Sequence, residues 1–245
     1  MKWFLFFFII ANTAFAQNST VDYIKLSEEF LLTTKIGSPN DSFIQCLKAA
    51  NIVDLNKQLN SDSVKFTFFI NLYNAFTQTA LQQNPDLYKS RSKFFKDKFI
   101  VIANHAFSLD DLENGFLRKS QFKYGLGYIQ RWFPGKIERN WRVNSKDYRI
   151  HFALNCGAKS CPPIAFYSAN SISEDLEMAT VNFLNTNIVY NEQKNEVSIP
   201  MIFNWFRGDF GGKNGIRNLL KQYKLIPPKS RPKLVYQSYD WALIY

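Results

Sequence analysis

The chain has 245 residues, of which 46% are hydrophobic and 17% aromatic, which is enough apolar surface for the core of one domain. This composition excludes a chain that is disordered throughout, and three cysteines are too few for a small protein held together by a disulfide framework. The 30 Lys and Arg residues outnumber the 20 Asp and Glu residues and give a net charge of +10.

Residues 1–16 have the pattern of a secretory signal peptide. Lys2 precedes an apolar run over residues 3–10, and Ala14 and Ala16 have the spacing that signal peptidase recognises. The run is too short to span a bilayer, and no Cys follows that could carry a lipid anchor. We therefore expect a periplasmic or secreted protein that is cleaved near Ala16 and has no transmembrane segment in its mature chain.

The basic charge allows two interpretations. Lys and Arg can simply keep the surface soluble, or they can contact an anionic partner in the cell envelope, such as a polymer, a protein, lipid head groups or an acidic glycan. The two basic clusters, at residues 89–93 and 229–233, are short and contain no nucleic-acid-binding motif. Nucleic acid is therefore an unfavoured partner, and the sequence identifies no other partner.

Helical patterns dominate the first half of the chain. They cover residues 21–59, with a break at residues 37–40, and then residues 63–83, where Asn84-Pro85 ends the pattern. A strand is predicted over residues 98–103, and residues 109–119 form the next predicted helix.

The second half mixes element types. Residues 122–141 are irregular, and the alternation over residues 147–154 predicts a strand with Arg149 and His151 on one face. A helix follows over residues 171–185, and then two short strands flank a turn at residues 191–195. The pattern predicts a single α+β domain over residues 17–245, with a helix-rich first half.

Two predicted helices carry unusual polar residues. Thr67, Asn71, Asn74 and Gln78 form one narrow neutral stripe on an otherwise apolar helix, either at the surface or as a buried hydrogen-bonding ridge. Glu113 lies on the apolar face of the 109–119 helix. It either reaches the rim of that face or forms an ion pair, or it is a functional or orienting carboxylate with an altered pKa.

A glycine-containing turn follows His151 and carries Cys156 and Cys161. Cys156 could be a nucleophile, since a nearby His activates a thiol for attack on acyl carbon. His151 or His105 would be the base, and Glu113, Asn155 or Asp209 could orient its ring.

The same cysteines allow other interpretations. Cys156 and Cys161 could form a structural disulfide, as the oxidising space outside the cytosol favours. A metal site made of His151, Cys156 and Cys161 fits neither zinc-ribbon nor deaminase spacing, and we expect neither a metal nor a cofactor.

These motifs resemble the family known as domain of unknown function 547. The resemblance extends from about residue 66 to the C-terminus and rests on residues 69–75, 108–118, 149–163, 203–206, 209–210 and 239–241. It implies an exported bacterial protein whose chemistry is unassigned. Many relatives carry a His after the helix Glu, where this chain has Asn114.

Two functional hypotheses remain. The first is a thiol-dependent acyl or amide hydrolase or transferase. Its catalytic residues would be Cys156, His151 and Glu113, and its substrate-binding residues Asn71, Asn74 and Arg149. Both histidines precede Cys156, unlike the usual order in papain-like enzymes. The second is a non-catalytic envelope-binding or scaffold module in which the disulfide is structural.

Overall fold

The computed structural model describes residues 21–245. The predicted signal peptide and the predicted start of the domain at residue 17 lie outside the described residues. The α-helices are α1 (Tyr23–Lys35), α2 (Asp41–Lys48), α3 (Ile52–Gln58), α4 (Asp62–Gln83), α5 (Arg91–Lys96), α6 (Lys136–Trp141), α7 (Ile172–Asn187), α8 (Ile202–Trp205) and α9 (Gly212–Gln222). The strands are β1 (Ile100–Ile102), β2 (His105–Phe107), β3 (Val189–Asn191), β4 (Glu196–Ile199) and β5 (Lys233–Tyr236).

Helix α4 is the centre of the first half. Apolar side chains surround it, so it is buried along most of its length. The Ser61 hydroxyl accepts a hydrogen bond from the Val64 amide at its start, and α4 ends before Pro85, which cannot continue a helix. Helix α1 packs along it, with the rings of Phe30 and Phe76 in edge contact. The predicted helix over residues 63–83 is confirmed.

The strands form two small sheets. Strands β1 and β2 make an antiparallel hairpin, and β3 and β4 make a second one around the predicted turn at residues 191–195. Strand β5 then pairs in parallel with β4, and this strand was not predicted. Helices come first and small sheets later, which confirms the predicted α+β class. No helix within residues 21–245 has both the length and the apolarity of a membrane span.

The buried apolar residues form two clusters. The first surrounds α4, and the second lies between α7, α8, α9 and the β3–β4–β5 sheet. The clusters meet at a 3-10 helix, Tyr148–Phe152, where Ile150 enters the first cluster and Phe152 enters the second.

This 3-10 helix replaces the strand predicted over residues 147–154, so that prediction is wrong. The Asp147 carboxylate accepts a hydrogen bond from the Arg149 amide at 2.9 Å and so begins a helical turn. Ile150, His151 and Phe152 are consecutive and all buried. A strand with one exposed face cannot bury three consecutive side chains, whereas a turn between two cores can.

Candidate functional site

A cavity of about 360 Å³ lies where the two clusters meet. Its walls are mainly aromatic and include Tyr73, Phe95, Trp205, Phe206, Tyr239 and Trp241. Its polar groups include Glu113, Asn114, His151 and the two cysteines of the 156–161 turn. A mostly apolar cavity with a few convergent polar groups is typical of a small-molecule site.

A π-helix, Asp111–Leu117, supplies one side of the cavity. The sequence predicts a helix over residues 109–119, and in the structure the Arg118 amide donates to the Glu113 carbonyl, five residues back, as in a π-helix. The wider turn places Glu113 and Asn114 on the cavity while Arg118 reaches Asp209. Such π-turns recur at functional sites.

His151 and Asp209 form a buried pair at the cavity wall. His151 Nε2 lies 3.0 Å from Asp209 Oδ2, and both side chains are almost fully buried. Arg118 Nε donates to the same carboxylate oxygen and Lys146 Nζ to the other, each at 2.8 Å. The ring of Phe206 stacks on the imidazole at a centroid distance of 4.0 Å. The imidazole is therefore fixed in position by a charged network on one edge and an aromatic ring on its face.

The charges of this network set the tautomer of His151. Burial lowers the pKa of His151 to about 4, so the ring is neutral at pH 7. Burial would raise the pKa of Asp209, but the His151 hydrogen bond and the Arg118 and Lys146 cations outweigh it and keep this pKa below its ordinary value. An ionised carboxylate can only accept, so Nε2 carries the proton and Nδ1 keeps its lone pair. Among the described residues Nδ1 has no hydrogen-bond partner.

Glu113 is the second titratable group of the cavity. Burial raises the pKa of its carboxyl to about 7, although the nearby Arg118 cation opposes the shift. Its neighbour Asp110 is paired with Lys123 at 2.6 Å, whereas the Glu113 carboxyl has no hydrogen-bond partner in the described part of the chain. At neutral pH this group can therefore donate or accept a proton.

The cysteine turn forms another part of the wall. Cys156 and Cys161 are joined by a disulfide, with Cα atoms 6.2 Å apart. The hydroxyl of Tyr239 lies 3.2 Å from Cys156 Sγ and 3.1 Å from Cys161 Sγ. Asn155 holds the turn from inside, because its amide nitrogen donates to the Pro162 carbonyl and its oxygen accepts from the Gly157 amide.

The end of the chain crosses the same turn. The amide of Lys159 donates to the Ala242 carbonyl at 2.8 Å, and the Ile244 amide donates to the Gly157 carbonyl at 3.1 Å. The cysteine turn is thus held on both sides, by Asn155 and by the C-terminal segment.

The structure brings together the three predicted catalytic residues but not the predicted substrate-binding residues. Glu113, His151 and Cys156 all line the cavity. Asn71 and Asn74 are completely buried and bind the Tyr167 and Ala153 carbonyls instead. The stripe they belong to is a buried ridge, which confirms that alternative.

Arg149 and His105 lie elsewhere. The Arg149 guanidinium is paired with Asp147 at 2.7 Å and also binds the Ser173 carbonyl, because the 3-10 turn directs it away from His151. His105 is exposed in β2 and does not line the cavity.

Sequence reasoning missed Arg118, Lys146 and Tyr239. Asp209 was one of three candidates for orienting the imidazole, and it is the one that does so. The only signal for Arg118 and Tyr239 was their place in the family-like motifs. A π-turn and contacts between distant segments bring these residues to the site, and neither follows from local periodicity.

Comparison with known proteins supports the motif resemblance. A family model described as "Protein of unknown function, DUF547" matches residues 57–184, just over half of the chain. The match includes Glu113, His151 and both cysteines of the turn, whereas Asp209 and Tyr239 lie beyond it. Neither the curated proteins nor the solved structures contain a match. The chain belongs to the DUF547 family of proteins of unknown function.

Proposed function

We propose that the cavity is the active site of a thiol-dependent enzyme that hydrolyses or transfers an acyl or amide group. One observation carries the proposal: His151, whose Nε2 is held by Asp209 and whose Nδ1 is unprotonated, lines the same cavity as Cys156. A His that activates a Cys nucleophile is oriented by a third group bound to its other nitrogen, an Asn in papain-like proteases and here the Asp209 carboxylate.

The active form is the reduced one. A dithiol reductant converts the Cys156–Cys161 disulfide to two thiols and is itself oxidised to a disulfide. His151 Nδ1, which is neutral at pH 7, takes the Cys156 proton as the sulfur forms its bond to the substrate carbonyl carbon, because an imidazole of low pKa does not hold the proton before the attack begins. His151 returns the proton to the leaving amine or alcohol. Water or an acceptor nucleophile then cleaves the thioester and restores the thiol.

Glu113 and the aromatic walls complete this mechanism. Protonated Glu113 can donate a hydrogen bond to the oxyanion of the tetrahedral intermediate, because its pKa lies near 7. The aromatic walls favour a substrate with an apolar or aromatic group.

Matched single-cysteine variants test the proposal. In Cys161→Ser the Cys156 thiol is free, and in Cys156→Ser the Cys161 thiol is free; Ser can still accept the hydrogen bond that Cys161 Sγ receives from the Cys156 amide. We expect iodoacetamide to label Cys156 at pH 7 at least about tenfold faster than Cys161. His151→Ala in the Cys161→Ser background should remove the difference, and Cys46 serves as an internal reference. Equal and slow labelling in folded variants would reject the thiol mechanism.

The disulfide itself favours a second candidate, a non-catalytic envelope-binding or scaffold module. Asn155, Tyr239 and the C-terminal segment all hold the turn in its oxidised form. Binding to envelope fractions that survives Cys156→Ala, together with a stoichiometric disulfide in protein from its native compartment, would support this candidate.

Export through the signal peptide is part of both proposals. Mass spectrometry of the protein purified from its native compartment should find Gln17 as the first residue. An intact Met1 would exclude cleavage at the proposed site.

A further inference from the structure

An exposed aromatic surface lies beside the cavity, on residues 122–133, here called the aromatic loop. Trp132 and Phe133 at its end are 86% and 93% exposed, and four further apolar side chains of the loop are more than 40% exposed, namely Phe122, Tyr124, Tyr128 and Ile129. Large apolar side chains grouped in this way usually mark an interaction site.

The aromatic loop has a defined conformation. The Phe122 amide donates to the Ile129 carbonyl at 2.8 Å, and the Arg131 amide donates to the Ser120 carbonyl at 2.7 Å. The Arg131 guanidinium is paired with Glu138 at 2.6 Å. Backbone hydrogen bonds and an ion pair therefore hold the loop in one conformation, in which Trp132 and Phe133 are exposed to solvent.

The surroundings of the loop are cationic. Lys136 and Arg139 are exposed next to the aromatic tip and form no ion pair with a carboxylate in residues 21–245. The nearby Glu138 and Asp110 carboxylates are already paired, with Arg131 and Lys123. The basic helix α5 lies on the same side, since Lys96 Nζ is 5.8 Å from the centre of the Tyr124 ring.

We propose that the aromatic loop docks this face of the protein on an anionic lipid bilayer. Trp and Phe side chains favour the headgroup boundary, and Lys and Arg side chains beside them are attracted to anionic headgroups. An apolar contact and a basic patch together give stable attachment where either alone is weak.

Docking would place the mouth of the cavity at the membrane. Lys123, Tyr124 and Leu126 belong to both the aromatic loop and the cavity wall. A ligand could then enter from the headgroup layer. The docking proposal does not rest on the thiol mechanism, because it is measured without substrate and without reduction of the disulfide.

Vesicle sedimentation tests the proposal. The protein should bind vesicles of phosphatidylcholine and phosphatidylglycerol, bind pure phosphatidylcholine much more weakly, and dissociate as salt is raised. The double variant Trp132→Ser, Phe133→Ser should bind the anionic vesicles at least about tenfold more weakly. The control Val53→Ser, Met178→Ser removes apolar side chains of 56% and 59% exposure elsewhere and should bind like the wild type.

Charge variants separate the electrostatic contribution to membrane binding from the apolar one. Lys136→Gln and Arg139→Gln keep the aromatic tip and should each weaken binding to anionic vesicles about fivefold, with no effect on neutral vesicles. Wild-type protein that ignores anionic vesicles, or a loop variant that binds like the control, would overturn the proposal. A dimer that the loop substitutions convert to a monomer would also overturn it, because the loop would then be a protein interface.

Discussion

Two buried polar networks beside α4 are built in opposite ways. On one side Asn71, Asn74 and Asn155 are neutral amides that bind backbone groups. On the other side Arg118, Asp209 and His151 are ionisable and bind one another. Asn74 and Asn155 fix the chain path at the cysteine turn, whereas the charged network fixes the protonation of a group that lines a cavity.

The difference shows what each kind of buried group can contribute. An amide bonded to a backbone carbonyl has the same hydrogen bonds at every pH, so it can only position the chain. A carboxylate bonded to an imidazole and two cations determines which nitrogen carries the proton. We therefore expect the chemistry at the charged network of Arg118, Asp209 and His151. The amides keep the disulfide turn in place beside it.

The largest effect is expected for Asp209→Asn. The change leaves the buried Arg118 cation without its carboxylate and should lower the free energy of unfolding by about 3–5 kcal/mol. Urea unfolding measures this, with Asp54→Asn, in an exposed pair with Lys57, as the control that should change it by less than about 0.5 kcal/mol. Similarly small losses for Asp209→Asn and Asp54→Asn would mean that the buried charged network stabilises the fold no more than an exposed ion pair does.

A smaller and pH-independent loss is expected for Asn74→Ala. It removes two hydrogen bonds, to the Ala153 carbonyl and from the Asn155 amide, and leaves both backbone groups buried. The expected loss is about 2–3 kcal/mol, equal at pH 5 and pH 8. Asn71→Ala is the matched comparison, since Asn71 makes one such bond, and it should cost about half as much. A strong pH dependence of either loss would mean that a titratable group, and not only a neutral amide, contributes to the effect.

Glu113→Gln should change stability in a pH-dependent way. The pKa of Glu113 in the folded protein, about 7, lies above its ordinary value of 4.5, so its stabilising contribution is complete below pH 4.5 and is lost as pH rises through 7. The variant should therefore gain about 2–3 kcal/mol relative to the wild type between pH 5 and pH 8. Urea unfolding at both pH values measures the gain. A difference in the free energy of unfolding that does not change with pH would mean that the pKa of Glu113 is not raised in the folded protein.

The smallest effect is expected for Tyr239→Phe. The change removes a hydroxyl that contacts the two sulfur atoms but keeps the ring packed on Trp205 and Trp241. Sulfur is a weak hydrogen-bond partner, so the loss should be about 0.5–1 kcal/mol in thermal unfolding. Tyr239→Ala, which also removes the ring, should cost at least twice as much. Equal losses would assign the whole effect to the hydroxyl.

Much of the fold and part of the site could be predicted from local patterns. Helix α4 followed from its apolar residues and from the Asn84-Pro85 stop, and the β3–β4 hairpin followed from its turn. Glu113, His151 and Cys156 were recognised because each is a reactive residue type in an unusual setting. Arg149 was misplaced because residues 147–154 alternate like a strand while Asp147 begins a 3-10 turn.

Local sequence patterns were therefore sufficient for the α+β class, for helices α1–α4 and α7, and for the residue types of the site, but they did not predict α5, α6, α8 or α9. The tertiary structure decided that Asn71 and Asn74 face backbone carbonyls, that Asp209 holds His151, and that Arg118 reaches Asp209 across a π-turn. The reason is physical: periodicity reports which face of an element is apolar, but a hydrogen bond between residues 58 or 91 positions apart depends on how whole elements pack.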